Sequence, residues 1–365
     1  MTDLDTSNQG GALLRHRMPE LDTVRGLAIL GVFLYHALWA LPNTAGVSSA
    51  ARTLLKVTWF GHFGVNLFFV LSGFLITGIL IDSRDHRAYY SRFYKHRALR
   101  ILPAYFLALA VLAKSMPPSF VVLSLAYLSN LSPIFGIEIG YPVLWSLAVE
   151  EQFYLLWPLV CRSVTNKKLI GLCFAVVALS PLSRYASLHL SSLPAGREFE
   201  FNEYTWNSLD GLACGALLST ALREYKPTRA KFVRYCYGLI LLAIVAWLCM
   251  IPWGIFSRRT GVGVALQISL VNIAFTGLLG LFLYVGSGPR PRWARIKTLQ
   301  FLGYISYGWY LIHYAFLEAY NRLIGWPQTI RDAVIKLIAV GLLSIGAAYL
   351  SRRYFEEPFL RLKDA

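Results

Sequence analysis

The feature that most restricts the fold of this sequence is a series of apolar runs long enough to cross a lipid bilayer. A transmembrane helix needs about 17 to 25 mostly apolar residues, and the 365 residues contain ten such runs, two of them short. The runs cover residues 24–42, 63–81, 99–113, 144–161, 169–187, 205–222, 235–252, 262–286, 299–317 and 333–350. A further run at 120–131 is too short to cross, so we expect it to be re-entrant or interfacial.

The basic residues agree with ten crossings and predict that both termini are cytoplasmic. In that orientation 24 Lys and Arg residues fall in inside segments and 8 in outside segments, as the positive-inside rule requires. The same loops account for the net charge of +16, so we expect membrane lipids as partners and no nucleic acid. We predict an all-α integral membrane protein with tails at 1–20 and 358–365 and one membrane domain at 21–357.

Four ionisable side chains are predicted to lie within the membrane, where such groups are costly and suggest function. The helical rise places His36 about 18 Å and His313 about 21 Å from the cytoplasmic face, with Glu150 and Asp210 at roughly 20 Å. A carboxylate beside an imidazole orients the ring and raises its basicity, so the four form a candidate acid/base cluster. Helix-joining hydrogen-bonded pairs would explain the same residues, and depth alone does not decide.

Three arginines mark the cytoplasmic side of this layer. Arg25 lies eleven residues before His36, on the same helix face and about 16 Å away. Arg97 and Arg100 share one face where the third span begins, and guanidinium groups suit phosphates. A coenzyme A thioester needs cations for its phosphates and a path for its pantetheine arm toward a base. Snorkelling topology anchors, or a site for anionic lipids, would explain the arginines equally well.

Ser72 and the five cysteines are interpreted as packing residues. Ser72 is a conceivable nucleophile, but small residues in membrane helices usually permit close packing. The five cysteines have no paired spacing, so we expect neither a disulfide framework nor a metal site.

Several longer segments accompany the spacing from Arg25 to His36 and the pair Arg97 and Arg100. They are PELDTVRGLA at 19–28, GVNLFFVLSGFLI at 64–76, LWSLAVEEQFY at 144–154, LDGL at 209–212, YGWYLIH at 307–313 and YFEEP at 354–358. In this combination the chain resembles, over nearly its whole length, the membrane-bound acyltransferase-3 family, which includes O-acetylases of cell-surface polysaccharides, peptidoglycan and macrolides. One departure is Asn66, where many relatives carry an acid, and this puts a charge-based role there in doubt.

The resemblance implies an enzyme of the bacterial inner membrane that moves an acyl group from cytoplasmic acyl-CoA to a hydroxyl of a glycan or similar acceptor. Acetyl-CoA is the expected donor substrate, and no bound cofactor is expected. The implied catalytic residues are His36, Glu150 and Asp22; the implied acyl-CoA-binding residues are Arg25, Arg97 and Arg100; the implied supporting residues are Trp145, Ser146, Asp210 and His313. Within this scheme His36 is the general base. Glu150 or Asp22 either orients the imidazole ring or stabilises its charged form.

Two questions remain open from the sequence. Some relatives append an extracytoplasmic esterase-like domain, whereas this sequence ends about a dozen residues after its last apolar run, so we expect it to hand over the acyl group itself or through a partner protein. A transporter could also use a polar layer at the membrane midplane. The internal repeats typical of transporters are not visible in the sequence, and the arginine and histidine spacings favour an enzyme.

The charge bias makes the topology testable. Tags at residue 1, near Arg229 and at residue 365 should be cytoplasmic, whereas tags near Ser191 and Arg258 should be outside, because a shift of one span would reverse the distribution of basic residues. Accessibility of the tags to a membrane-impermeant reagent measures this, and a cytoplasmic tag near Ser191 would contradict the scheme.

Overall fold

The chain folds into helices throughout the part that the computed structural model describes, which comprises residues 13–15, 17–38, 56–190, 200–255, 260–289 and 291–362. In chain order the helices are α1 (Glu20–Leu38), α2 (Gly64–Asp82), α3 (Tyr89–Leu112), α4 (Pro118–Leu125), α5 (Leu144–Ser163), α6 (Asn166–Leu190), α7 (Thr205–Tyr225), α8 (Arg229–Cys249), α9 (Gly261–Gly286), α10 (Lys297–Leu323), α11 (Ile330–Leu350) and α12 (Glu357–Arg361). A π-helix at Ser351–Glu356 joins α11 to α12. The all-α prediction is confirmed.

Seven helical segments in this part of the chain are long and apolar enough to cross a membrane. They include α1, α2, α3, α6, α8, α9 and α11, and make the protein a multi-pass membrane protein. The ten predicted runs each overlap a helix of at least 19 residues, although residues 39–42 of the first run lie outside the described residues. Three long helices, α5, α7 and α10, carry more polar side chains and fall outside the seven, so the count of ten crossings stays a prediction.

The segment that follows α3 is too short to cross, as its sequence predicted. Helix α4 starts at Pro118 and has eight residues, which span about 12 Å, and a single 3₁₀ turn follows at Ser129–Leu131. Proline favours the first turn of a helix because its missing N–H has no intrahelical partner there.

Glycines allow α1 and α10 to approach each other closely. A Cβ atom at Gly26 would overlap the carbonyl oxygen of Leu299, and a Cβ atom at Gly303 would overlap that of Asp22. Ten residues further along each helix, His36 and His313 are again in contact. The two helices therefore run in the same direction, and their shared contact fixes the depth and spacing of the two histidines.

A buried ion pair joins α6, α7 and α9. Arg184 and Asp210 both have 0% side-chain exposure, and Nη2 of Arg184 lies 3.0 Å from Oδ2 of Asp210. The Ser269 hydroxyl donates to the same carboxylate oxygen at 2.6 Å, while Arg184 also donates to the carbonyl oxygens of Asn207 at 2.6 Å and Ala265 at 3.1 Å. Because its carboxylate is occupied in this way, Asp210 is a structural residue that holds three helices together.

Removing one member of this pair should destabilise the fold. Asp210→Ala leaves the Arg184 guanidinium buried without its carboxylate, which costs about 3–5 kcal/mol, so the midpoint of thermal unfolding in detergent should fall well below that of the wild type. The double variant Arg184→Met, Asp210→Leu removes both charges and should recover most of the loss. An Asp210→Ala protein with an unchanged midpoint would show that the ion pair does not support the fold.

Candidate active site

Two histidines from the closely packed helices α1 and α10 form a contact inside the protein. Nδ1 of His36 lies 3.0 Å from Nε2 of His313, and the planes of the two rings are 27° apart with centroids at 5.2 Å. His313 is fully buried, whereas His36 is partly exposed and lines two cavities. The sequence placed both residues at one depth, and their contact makes them the centre of the candidate site.

The surroundings of His313 determine which nitrogen atoms of the pair carry protons. Its Nδ1 faces the carbonyl oxygens of Tyr310 at 2.8 Å and Trp309 at 3.1 Å. Carbonyl oxygens only accept hydrogen bonds, so Nδ1 of His313 carries a proton. We assign the uncharged form to this fully buried ring, so that its Nε2 accepts. Nδ1 of His36 must then donate to Nε2 of His313. This assignment leaves the lone pair on Nε2 of His36 available as a base.

Four cavities follow one another through the helical bundle. The basic cavity has a volume of about 850 Å³ and is lined by Arg92, His96, Arg97, Arg100 and Arg223, among others. It shares Arg97 and Arg100 with the glutamate cavity, of about 110 Å³, which includes Glu150.

The two remaining cavities meet at His36. The histidine cavity, of about 230 Å³, shares Val65 and Tyr310 with the glutamate cavity. The lysine cavity, of about 470 Å³, contains Lys336 and shares Tyr35, His36 and Pro142 with the histidine cavity. His36 therefore lies between an approach lined by arginines and a second approach from the other end of the bundle.

The three predicted donor-binding arginines lie together around the glutamate cavity. Arg25, Arg97 and Arg100 all line it. Arg97 lies over the ring of Tyr154, with its guanidinium carbon 5.3 Å from the ring centroid. Among the described residues, neither Arg97 nor Arg100 forms an ion pair with a carboxylate. Two cations without carboxylate partners at a cavity mouth suit an anionic ligand.

The predicted carboxylates do not contact His36. Asp22 forms an ion pair with Arg25 and lies fourteen residues before His36 on α1, which is about 21 Å along the helix. Glu150 accepts hydrogen bonds from the hydroxyls of Ser72 at 3.0 Å and Tyr154 at 3.1 Å. The structure therefore does not bring Asp22 or Glu150 into contact with His36, and the side chain that forms a hydrogen bond with it is His313.

The predicted supporting residues divide between the cavities. Ser146 lines the glutamate cavity, and its hydroxyl lies 2.6 Å from that of Tyr310. Trp145 lines the histidine cavity together with His36 and Asn66. Asp210 lines none of the four cavities and is paired with Arg184, so the structure does not bring it together with the two histidines.

Sequence reasoning missed three residues of this architecture. Arg184 and Lys336 are basic residues within apolar runs, and a count of basic residues in loops passes over them. Tyr310 lines both the glutamate cavity and the histidine cavity, yet it has no predicted role of its own within the segment 307–313. Charged side chains are rare within membrane spans, so the presence of Arg184 and Lys336 inside two apolar runs could have identified them as candidates.

The described residues thus form a multi-pass helical bundle in which two histidines meet beside connected cavities, and this arrangement is a candidate acid/base site. The family model described as an acyltransferase domain matches residues 18–353. This chain therefore belongs to the acyltransferase-3 family.

Two curated relatives match most of this chain. O-acetyltransferase OatA of Staphylococcus aureus is 34% identical over 399 residues, covering 93% of this chain and 57% of its own length. Peptidoglycan O-acetyltransferase OatA of Listeria monocytogenes is 27% identical over 382 residues, covering 94% of this chain and 56% of its own length. The chain thus spans little more than half the length of these relatives. No solved structure matches it significantly.

Proposed function

We propose that this protein is a membrane O-acyltransferase that moves an acetyl group from cytoplasmic acetyl-CoA to a hydroxyl of a glycan, with Nε2 of His36 as the general base. The observation that carries the proposal is the hydrogen-bonded pair of His36 and His313, which uses Nδ1 of His36 and leaves Nε2 available on a ring that lines two cavities. Family membership favours acyl transfer over transport for such a site.

The donor is proposed to enter through the basic cavity. Arg97 and Arg100 would contact the phosphates of coenzyme A, and Arg25 would stand beside the pantetheine arm. From Arg25 the helix extends about 16 Å to His36, a length similar to that of an extended pantetheine arm. Glu150 would keep the narrow part of the path polar through its hydrogen bonds to Ser72 and Tyr154.

The reaction needs one proton transfer in each direction. As the acceptor oxygen attacks the thioester carbonyl carbon, its proton passes to Nε2 of His36. The C–S bond then breaks, and the departing thiolate takes that proton to form coenzyme A. While His36 holds the proton, its Nδ1–H donates more strongly to Nε2 of His313. His313 thus holds the ring in one orientation and tautomer, the role of the third member of a catalytic triad.

The location and acceptor are proposed from sequence patterns and relatives. The basic loops support ten crossings with both termini in the cytoplasm of a bacterium, so an acceptor on the opposite side of the inner membrane would reach His36 away from the donor. One relative is named a peptidoglycan O-acetyltransferase, which favours a cell-surface or lipid-linked glycan as acceptor. The proposal includes hand-over of the acetyl group either directly to the glycan or through a partner protein.

Replacing His36 tests the proposed base. His36→Gln keeps a polar partner for His313 but lacks a basic nitrogen, so the rate of acetyl transfer from acetyl-CoA should fall about 100-fold or more, and His36→Ala should behave alike. Binding of acetyl-CoA, measured by calorimetry in detergent, should persist because the arginines are untouched. A glutamine variant with near-normal turnover would exclude His36 as the base.

Replacing the arginines tests the donor site. The double variant Arg97→Ala, Arg100→Ala removes charge-assisted hydrogen bonds to phosphate, so the Kd for acetyl-CoA should rise about tenfold or more, and the residual binding should weaken with salt. Arg162→Ala is the matched control, because Arg162 lies over the rings of Tyr89 and Tyr90 and lines none of the four cavities. Unchanged affinity in a folded double variant would mean that these arginines only set topology.

A further inference from the structure

We propose that the lysine cavity is the acceptor subsite and that it selects a saccharide carrying a carboxylate or phosphate group, which the ammonium group of Lys336 binds. The inference rests on the proposed function, because it takes His36 as the base that receives the proton of the acceptor. It adds a binding residue and a charge requirement for the acceptor.

Lys336 is a buried cation that the described residues leave without a polar partner. Its side chain lines the cavity and is only 2% exposed. The contact it makes is with the ring of Trp326, whose centroid lies 5.4 Å from Nζ, and no described residue offers Nζ a carboxylate or a hydrogen-bond acceptor. A buried ammonium without a partner is unfavourable. An anionic ligand would supply the missing partner.

The other charged groups around the lysine cavity do not balance the positive charge of Lys336. Glu318 and Arg322 also line it, but they form an ion pair with each other at 3.0 Å. The cavity therefore has one uncompensated positive charge, that of Lys336. A neutral sugar would leave that charge unmatched, whereas a singly charged anion would balance it.

Other lining residues suit the body of a saccharide. Trp326 is 55% exposed, and Tyr314 contacts the His36 ring edge to face at 5.4 Å between centroids. These aromatic side chains provide flat apolar surfaces for the C–H faces of a sugar ring, and the Asn321 amide can pair with hydroxyls.

The position of the cavity relative to His36 fits an acceptor. His36 forms part of its wall, so a saccharide anchored at Lys336 can present a hydroxyl to Nε2. The cavity lies beside the end of α10 and the start of α11, whereas Arg25 lies beside the start of α10. Donor and acceptor would thus approach His36 from opposite ends of the bundle.

The test compares acceptors that differ in charge. The wild type and Lys336→Met are assayed in detergent with acetyl-CoA and four soluble acceptors: the methyl glycoside of N-acetylmuramic acid, its carboxyl methyl ester, N-acetylglucosamine 1-phosphate and the methyl glycoside of N-acetylglucosamine. In the wild type, the KM of at least one anionic acceptor should be about tenfold or more below that of its neutral counterpart. The carboxylate and phosphate arms distinguish which anion the site prefers.

The variant should lose this preference and little else. In Lys336→Met the KM of the anionic acceptor should rise to that of the neutral one, while the KM values of the neutral acceptors and of acetyl-CoA stay within about twofold. Lys336→Arg should retain the preference because it keeps the charge. Lys297→Met, which removes an exposed lysine at the start of α10, should match the wild type.

Thermal unfolding separates a binding role from a structural one. Without acceptor, Lys336→Met should unfold at the same temperature as the wild type or higher, because it removes a buried, unpaired charge. A lower unfolding temperature together with equal loss of activity toward all acceptors would overturn the inference, and so would a wild type that ignores acceptor charge. Activity retained by His36→Gln would instead overturn the proposed function, so the two failures can be told apart.

Discussion

The close packing of α1 against α10 is the contact on which the candidate site depends. Gly26 and Gly303 let each backbone rest on a carbonyl group of the other helix, an approach that any Cβ atom would prevent. Because His36 and His313 each follow these glycines by ten residues, about 15 Å along each helix, the same packing brings their rings together. The histidine pair is thus set by a backbone contact well away from it.

The buried polar groups of this protein fall into two kinds. Some are paired within the protein: Arg184 with Asp210 joins two helices, and Glu20 with Arg15 and Arg295 joins the start of α1 to two connecting segments. Others line cavities without a carboxylate partner among the described residues, as Arg97 and Lys336 do. A charge in a membrane protein needs a partner or a ligand. Arg97 and Lys336 meet that condition only with a ligand, which is why both are assigned binding roles in the proposals above.

The helices could be predicted closely from sequence, and the site only in part. The apolar run 144–161 predicts a helix, and the structure has α5 at Leu144–Ser163. The agreement is close because length and composition determine such a helix locally. The contact between His36 and His313 joins positions 277 residues apart, and spacing along one helix cannot reveal it. Depth suggested Asp210 as a site residue, but its role depends on Arg184 from another helix. Glu150 lines a cavity, and its partners Ser72 and Tyr154 could be known only from the packing.

The central claim of this account is that His313 holds His36 in the tautomer whose Nε2 is free to accept a proton. Nitrogen-15 NMR on protein labelled at histidine distinguishes a protonated ring nitrogen from one with a lone pair, and His36→Gln and His313→Gln samples assign the signals. The account predicts that Nδ1 of both rings is protonated and that Nε2 of His36 carries the lone pair in the resting protein. A resting His36 with its proton on Nε2 and its lone pair on Nδ1 would contradict it.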